Sequence, residues 1–128
     1  MLKYNFLKWA IFGVVLVILA LTVLEFPAPI GFETRPQDNV SLVWLVFFLV
    51  ILIVEITTLF LVFKKPYLGG IFGIATAIFN ILQVIADQAH LMQPEVASFG
   101  YMLLEDVVVI FSVVLAYFSL RIIKLSKI

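Results

Sequence analysis

Four long apolar runs constrain the fold of this 128-residue chain more than any other feature. They lie at about residues 9–24, 40–63, 66–86 and 96–120. An α-helix needs about 20 residues to cross about 30 Å of hydrocarbon; the first run is slightly short and the others reach that length. Lipid offers the backbone no hydrogen-bond partners, and the runs lack the alternation of transmembrane strands, so helices are expected. The sequence therefore predicts an all-α protein, an integral membrane four-helix transmembrane bundle, antiparallel and up-down, with residues 1–128 forming one domain.

Composition agrees with this fold class and excludes several functions. Apolar residues make up 65% of the chain and charged residues 12%, against about 45–50% and 25% in soluble domains. Eight basic and eight acidic residues cancel, which removes the case for a nucleic-acid partner and leaves membrane lipids as the expected surroundings. The chain has no cysteine, so disulfides, thiolate metal sites and iron–sulfur clusters are excluded.

The basic residues predict the orientation of the bundle. Seven of the eight fall on one side of the predicted helices, and only Arg35 falls on the other. The seven are Lys3, Lys8, Lys64, Lys65, Arg121, Lys124 and Lys127. By the positive-inside rule, both termini and the turn between helices 2 and 3 are cytoplasmic. The expected location is the plasma (inner) membrane of a prokaryote.

The third run begins with a stripe of small residues, Gly69, Gly73 and Ala77, at four-residue spacing. Small side chains on one helical face let two helices approach closely in lipid. The stripe predicts helix packing and leaves open whether the partner is helix 2, helix 4 or another chain.

Polar residues then continue along helix 3. Asn80, Gln83, Asp87 and His90 recur at spacings of three, four and three, so they share one face. At 1.5 Å per residue, this stripe starts about 20 Å from Tyr67 and reaches the outer surface. It should face protein or a water-filled cleft, and a hydrogen-bonded seam between helices would produce the same pattern.

Helix 4 carries two adjacent acids, Glu105 and Asp106. Glu105 shares a face with Ser112 and Ser119 at seven-residue spacing, so it is expected to point into the bundle. Asp106 is rotated from it by about 100°. Either acid could contribute to a binding site, and a hydrated rim is the structural alternative.

Glu55 lies about 13 Å from the inner end of helix 2, inside the apolar layer. A carboxylate at such a depth costs at least about 2.5–3.5 kcal/mol, which favours a functional or partnered role. The structural alternative is a protonated Glu55 bonded to Asn80 or Gln83. Together with the outer acids, these residues predict a polar pocket between helices 2, 3 and 4 that opens to the outside.

No catalytic residue set, nucleotide motif or cofactor is predicted. Asp87 and His90 stand three residues apart on one helical face, and with Glu105 or Asp106 they could form a site for a single metal ion. Carboxylate bundles that hold two irons use such a pair twice, whereas this chain has one histidine. The expectation is therefore no metal, with this set as the minor alternative.

The four-helix pattern resembles the DoxX-like family of small membrane proteins. The resemblance rests on Glu55 in helix 2, the basic turn at Lys64 and Lys65, the small-residue start of helix 3 and His90 near its outer end. It implies a compact four-helix bundle, often associated with oxidoreductase systems, and assigns no catalytic residue to this chain.

Three functions are compatible with these features. The leading prediction is a small non-catalytic protein that serves as an accessory or structural subunit of a larger membrane complex, or that forms a homo-oligomer. The second is a protein that binds or transports a small molecule, a cation or a proton in the predicted pocket. Its ligand groups would be Glu55, Asp87, His90 and Glu105. The third is a membrane oxidoreductase component of DoxX-like type with a lone metal or a quinone.

Overall fold

The computed structural model is a bundle of four α-helices and describes residues 2–26, 30–31, 39–89 and 98–126. The helices are α1 (Leu2–Leu24), α2 (Asn39–Lys64), α3 (Pro66–Gln88) and α4 (Phe99–Ser126). The prediction of four apolar helices is confirmed, and each is long and apolar enough to cross a membrane.

The helices differ from the apolar runs mainly at the ends that carry basic residues. α1 begins at Leu2 rather than near residue 9, and α4 continues to Ser126 rather than ending near residue 120. Hydropathy marks only the apolar part of a helix, whereas helical hydrogen bonding continues where the ends pack. Here the Ser126 hydroxyl donates to the hydroxyl of Tyr4 across 3.2 Å. The predicted start of helix 4 at residue 96 lies outside the described residues.

A single residue, Lys65, separates α2 from α3. Its φ of −138° and ψ of 81° turn the chain, and Pro66 occupies the start of α3. Proline suits this position because its fixed φ is compatible with the first turn and its missing N–H has no intrahelical partner there. The turn forces α2 and α3 to run antiparallel as neighbours.

The four helices form a closed ring in which each contacts its neighbours in sequence and α4 returns to α1. At one end of the bundle Tyr4 of α1 meets Ser126 of α4, and at the other the Tyr101 hydroxyl donates to the carbonyl oxygen of Glu25 across 3.1 Å. α1 and α4 are therefore antiparallel. Across the diagonal α1 and α3 barely touch, and α2 and α4 make no contact in the described part of the chain.

The small residues at the start of α3 pack inside the bundle. A Cβ on Gly69 would lie 2.6 Å from the Val62 Cα of α2, and one on Gly73 would collide with the Ser119 hydroxyl of α4. Ala77 is buried in the aliphatic core. The sequence left open which helix packs against this stripe. The structure shows that both neighbours do, because Gly69 faces α2 and Gly73 faces α4.

Charged residues divide between the two ends of the ring. The described basic residues sit at the start of α1, the end of α2, the turn and the end of α4, which the antiparallel order brings together as the basic end. These are Lys3, Lys8, Lys64, Lys65, Arg121 and Lys124. Glu25, Asp87, Glu105 and Asp106 lie at the opposite, acidic end. Aliphatic side chains that include Ile11, Val15 and Leu115 fill much of the interior between them.

Candidate functional site

The polar face of α3 points into the bundle. Asn80, Gln83 and Asp87 each expose 3% or less of their surface, on the same face as the buried Gly73 and Ala77. Packing against α2 on one side and α4 on the other brings this face into reach of polar groups on both neighbours. His90, the fourth residue of the predicted stripe, lies outside the described residues.

Glu55 of α2 is completely buried and is bound from two helices. Its Oε2 lies 2.9 Å from the hydroxyl of Thr22 on α1 and 3.3 Å from Nδ2 of Asn80 on α3. Buried polar groups need such partners because water no longer supplies them. Of the two partners considered from the sequence, the structure brings Asn80 to Glu55, and Thr22 was not anticipated. We call Glu55, Thr22 and Asn80 the Glu55 site.

Two threonine hydroxyls lie one helical turn from the Glu55 site toward the basic end. The hydroxyl oxygens of Thr58 on α2 and Thr76 on α3 are 3.2 Å apart. Each hydroxyl also lies within donating distance of a carbonyl of its own helix, that of Val54 at 2.8 Å and that of Phe72 at 2.9 Å, and because each has one proton, a bond between the two uses the proton of one of them. The pair extends the polar seam between α2 and α3.

Glu105 of α4 forms the centre of a second group at the acidic end, and it too is completely buried. Nε2 of Gln83 lies 3.3 Å from its Oε2, and the carboxyl group of Asp87 is in hydrogen-bond contact with it. Glu25 is close enough to interact with it electrostatically. We call Glu25, Asp87 and Glu105 the acid cluster.

Glu25 is the residue that the sequence reasoning missed. It directly follows the end of α1, and only 1% of its surface is exposed. The signal was present in the spacing: Ile18, Thr22 and Glu25 continue the buried face of α1 at intervals of four and three. The 3.1 Å bond from the Tyr101 hydroxyl to the Glu25 carbonyl ties this residue to the first turn of α4.

Asp106 lies outside the acid cluster. It is exposed, and its Oδ1 accepts a 3.1 Å hydrogen bond from Nε2 of Gln88, which also lies 3.5 Å from Oε1 of Glu105. The rotation of about 100° between consecutive helical residues explains why one acid is buried and the next faces outward. Gln88 and Asp106 form a polar rim beside the cluster.

The buried residues that the sequence assigned to one polar pocket belong to two separate groups. The Glu55 site joins α1, α2 and α3, whereas the acid cluster joins α3, α4 and the residue that follows α1. Thr22 and Glu25 are three positions apart in the chain, as are Asn80 and Gln83 on α3, so the groups lie about one helical turn apart.

The electrostatic environment of these acids is unusual. No Lys or Arg is buried anywhere among the described residues, while four carboxyl side chains are. An ionised carboxylate moved into an apolar interior without a cation costs several kcal/mol even after relaxation. Donors from Thr22, Asn80 and Gln83 offset part of this cost, and a bound positive charge would offset more.

The residues available for a metal fall short of a full ligand set within the described part of the chain. Asp87 and Glu105 come together as the metal alternative requires, but no three His, Asp or Glu side chains there are arranged to hold one ion. His90, the remaining candidate, lies outside that part. No family model, curated protein or solved structure significantly matches this chain.

Proposed function

We propose that this chain is an integral membrane protein that binds a small cation, a proton included, among buried carboxyl groups near one end of its helix bundle. One observation carries the proposal: four acidic side chains are buried, and no described Lys or Arg is buried with them. They are Glu25, Glu55, Asp87 and Glu105. Positive charge from outside the protein would lower the cost of burying them.

Insertion into a membrane is the first part of the proposal. Four helices of sufficient length and hydropathy support it, and so do the many large apolar side chains that remain exposed, such as Ile53, Phe60 and Ile110. We place the basic end on the cytoplasmic side, because basic residues are retained there during insertion. The acid cluster then faces the outside.

The contact between Asp87 and Glu105 supports a bound proton or cation. An ionised carboxylate has acceptors only, so two of them cannot share a hydrogen bond. Two carboxylates this close repel each other, and a proton on one of them or a cation between them would relieve that repulsion. Glu25 interacts electrostatically with Glu105 but does not complete a three-carboxylate ligand set, so a metal ion would need the Gln83 oxygen or water as further ligands, whereas a proton needs none.

Two buried oxygen atoms supply further acceptors. Oε1 of Glu55 and Oε1 of Gln83 have no hydrogen-bond donor among the residues that the structure describes. An acceptor left in this state costs about 1–3 kcal/mol. A bound cation or its water could satisfy the Gln83 oxygen beside the acid cluster, and a proton on Glu55 would remove its buried negative charge.

The bundle interior toward the basic end is packed with aliphatic side chains. This packing favours a protein that binds a cation over one with an open ion channel. Ile11, Val15, Leu115 and Ile122 are each fully buried there and belong to one aliphatic cluster. An ion would have to shed its water to pass between them, at a cost far above thermal energy. Passage across the membrane would require a rearrangement of the bundle.

Cation binding can be tested on the purified protein in nanodiscs of zwitterionic lipid. Na⁺, K⁺, Mg²⁺ and Ca²⁺ are added in turn while a pH dye reports released protons and thermal unfolding reports stability. If a metal ion binds, it replaces the shared proton. The amount of released proton then rises with the concentration of the ion until the site is full, and the unfolding temperature of the protein rises. If the cation is a proton alone, infrared spectroscopy shows a protonated carboxyl group in a dry environment.

Glu105→Gln is the informative variant, because it removes one carboxyl group of the cluster with little change in shape. It should abolish the proton release, or remove the part of the infrared band that comes from Glu105 and leave the part that comes from Glu55. Asp106→Asn is the matched control: the same chemical change one residue away on the exposed rim should leave either signal intact. A wild-type protein that gives neither signal, or two variants that behave alike, would contradict the proposal.

The other functions stay predictions. The apolar side chains exposed on this bundle could contact either lipid or another membrane protein. They therefore do not distinguish an accessory subunit from a protein that acts alone. The oxidoreductase prediction, the DoxX-like resemblance, the lone metal or quinone and the prokaryotic plasma membrane stay predictions as well.

A further inference from the structure

A groove lies between the first turns of α1 and the last turns of α4, at the basic end and far from the acid cluster. Its volume is about 160 Å³. The lining residues are Lys3, Phe6, Leu7, Tyr117, Phe118 and Arg121. Two are cationic, four are aromatic or aliphatic, and none is acidic.

The walls of the groove are apolar and come from both helices. Phe6 and Phe118 meet edge to face with ring centroids 6.2 Å apart, and the buried Leu7 lies beside them. Phe6 leaves 62% of its surface exposed. Such a surface suits a flexible hydrocarbon chain, which gains many small dispersion contacts along it.

The two cations line the groove from different helices. Nη1 of Arg121 donates a 3.0 Å hydrogen bond to the Tyr117 hydroxyl, and the guanidinium group lies 5.9 Å from the centre of that ring. Lys3 lies on the α1 side. The described acids all lie deeper in the bundle or at its acidic end, so no carboxylate lining the groove neutralises the pair.

We propose that this groove binds an anionic phospholipid. The phosphate group lies between Lys3 and Arg121, and one acyl chain packs against Phe6 and Phe118. Arginine suits this role because its planar guanidinium donates two parallel hydrogen bonds to a phosphate, and basic pockets on the cytoplasmic side of membrane helices recognise lipid head groups in this way. The inference rests on the proposed membrane insertion and orientation, and it is independent of cation binding.

The test uses the full chain in mild detergent, with phosphatidylglycerol or phosphatidylcholine added and bound lipid counted by native mass spectrometry. The wild type should bind phosphatidylglycerol more tightly than phosphatidylcholine. Lys3→Gln combined with Arg121→Gln should weaken phosphatidylglycerol binding by at least about tenfold, because both phosphate contacts are lost. Phosphatidylcholine carries the same phosphate, but Lys3 and Arg121 repel its choline cation, so it starts from weaker binding and should lose less than phosphatidylglycerol.

The matched control is Lys64→Gln combined with Lys65→Gln. It removes the same charge from the same end of the bundle but leaves the groove intact, so the preference for phosphatidylglycerol should persist. Phe6→Ala should weaken the binding of both lipids. Phe60→Ala, at an equally exposed position of α2, should weaken the binding of neither.

Two results would overturn the inference. One is a wild type without preference between the two lipids, and the other is an equal loss in the two double variants, which would indicate a diffuse electrostatic attraction. Reconstitution into vesicles separates these outcomes from failed insertion: a chain that does not insert is extracted by alkaline carbonate, whereas an inserted chain without lipid preference remains.

Discussion

Glu55 and Glu105 illustrate how a buried acid depends on side chains from other helices. Glu55 accepts hydrogen bonds from a hydroxyl group on α1 and an amide group on α3. Glu105 accepts one from an amide group on α3. Each of these contacts joins residues more than 20 positions apart in the chain. Removing the acid therefore affects packing between helices as well as local chemistry.

Glu55→Leu should lower the free energy of unfolding by about 1–3 kcal/mol, because one amide hydrogen of Asn80 loses its acceptor, whereas the Thr22 hydroxyl keeps the Ile18 carbonyl 2.9 Å away. Glu55→Gln keeps an acceptor in the same place and should stay within about 1 kcal/mol of the wild type. Thermal unfolding in detergent measures both. Thr57→Val is the control, since the Thr57 hydroxyl bonds only to its own helix, at the Ile53 carbonyl. A more stable Glu55→Leu protein would show that burial of the carboxyl group outweighs these hydrogen bonds.

At the scale of the helix, α3 differs from the others because it presents small and polar residues on one face. Gly69 allows close approach to the α2 backbone, and Gly73 makes room for Ser119 of α4. This proximity brings Asn80 and Gln83, farther along the same face, within reach of Glu55 and Glu105. The stripe of small residues therefore supports the polar groups by setting the distances between helices.

Gly73→Ala and Gly69→Ala should each destabilise the bundle by about 1–3 kcal/mol, because a methyl group at either position meets a neighbouring helix. The matched control is Gly13→Ala. A Cβ there meets nothing within 4 Å, so alanine should be neutral or slightly stabilising through its better helix propensity. Unfolding by a denaturing detergent ranks the three variants. Equal stability of Gly73→Ala and Gly13→Ala would contradict the close packing of α3 on α4.

For the whole molecule, the antiparallel ring gathers the described basic residues at one end and most of the described acidic residues at the other. This separation supports the proposed orientation and keeps Lys3 and Arg121 away from the acid cluster. The two proposed binding sites are therefore expected to act independently.

The orientation predicts opposite accessibility for Asn39 and Ser126. The chain has no cysteine, so Asn39→Cys and Ser126→Cys each introduce a single thiol. In intact cells a membrane-impermeant maleimide should label the first, and it should label the second only after permeabilisation, because α2 begins at the acidic end and α4 finishes at the basic end. The unaltered chain serves as the unlabelled control. Labelling of both thiols from outside, or of Ser126→Cys alone, would contradict the topology.

The sequence determined the elements and their faces. Four apolar runs sufficed to predict four helices, because hydropathy and length are properties of each segment alone. Helical periodicity also predicted that Asn80, Gln83 and Asp87 share a face, and that Glu105 points inward while Asp106 is rotated away. The same periodicity would have included Glu25, had the buried face of α1 been followed to its end.

Only the tertiary structure decided which helix faces pack together and how the helices are aligned along the bundle axis. Glu55 pairs with Asn80 and Thr22, Gln83 pairs with Glu105, and Gly69 and Gly73 contact different helices. Nearly uniform apolar surfaces do not distinguish one neighbour from another, so the order of the ring and its vertical alignment arise from close packing of small residues and from hydrogen bonds between helices. Those contacts join residues far apart in the chain, and for that reason the periodicity of a single helix could not predict them.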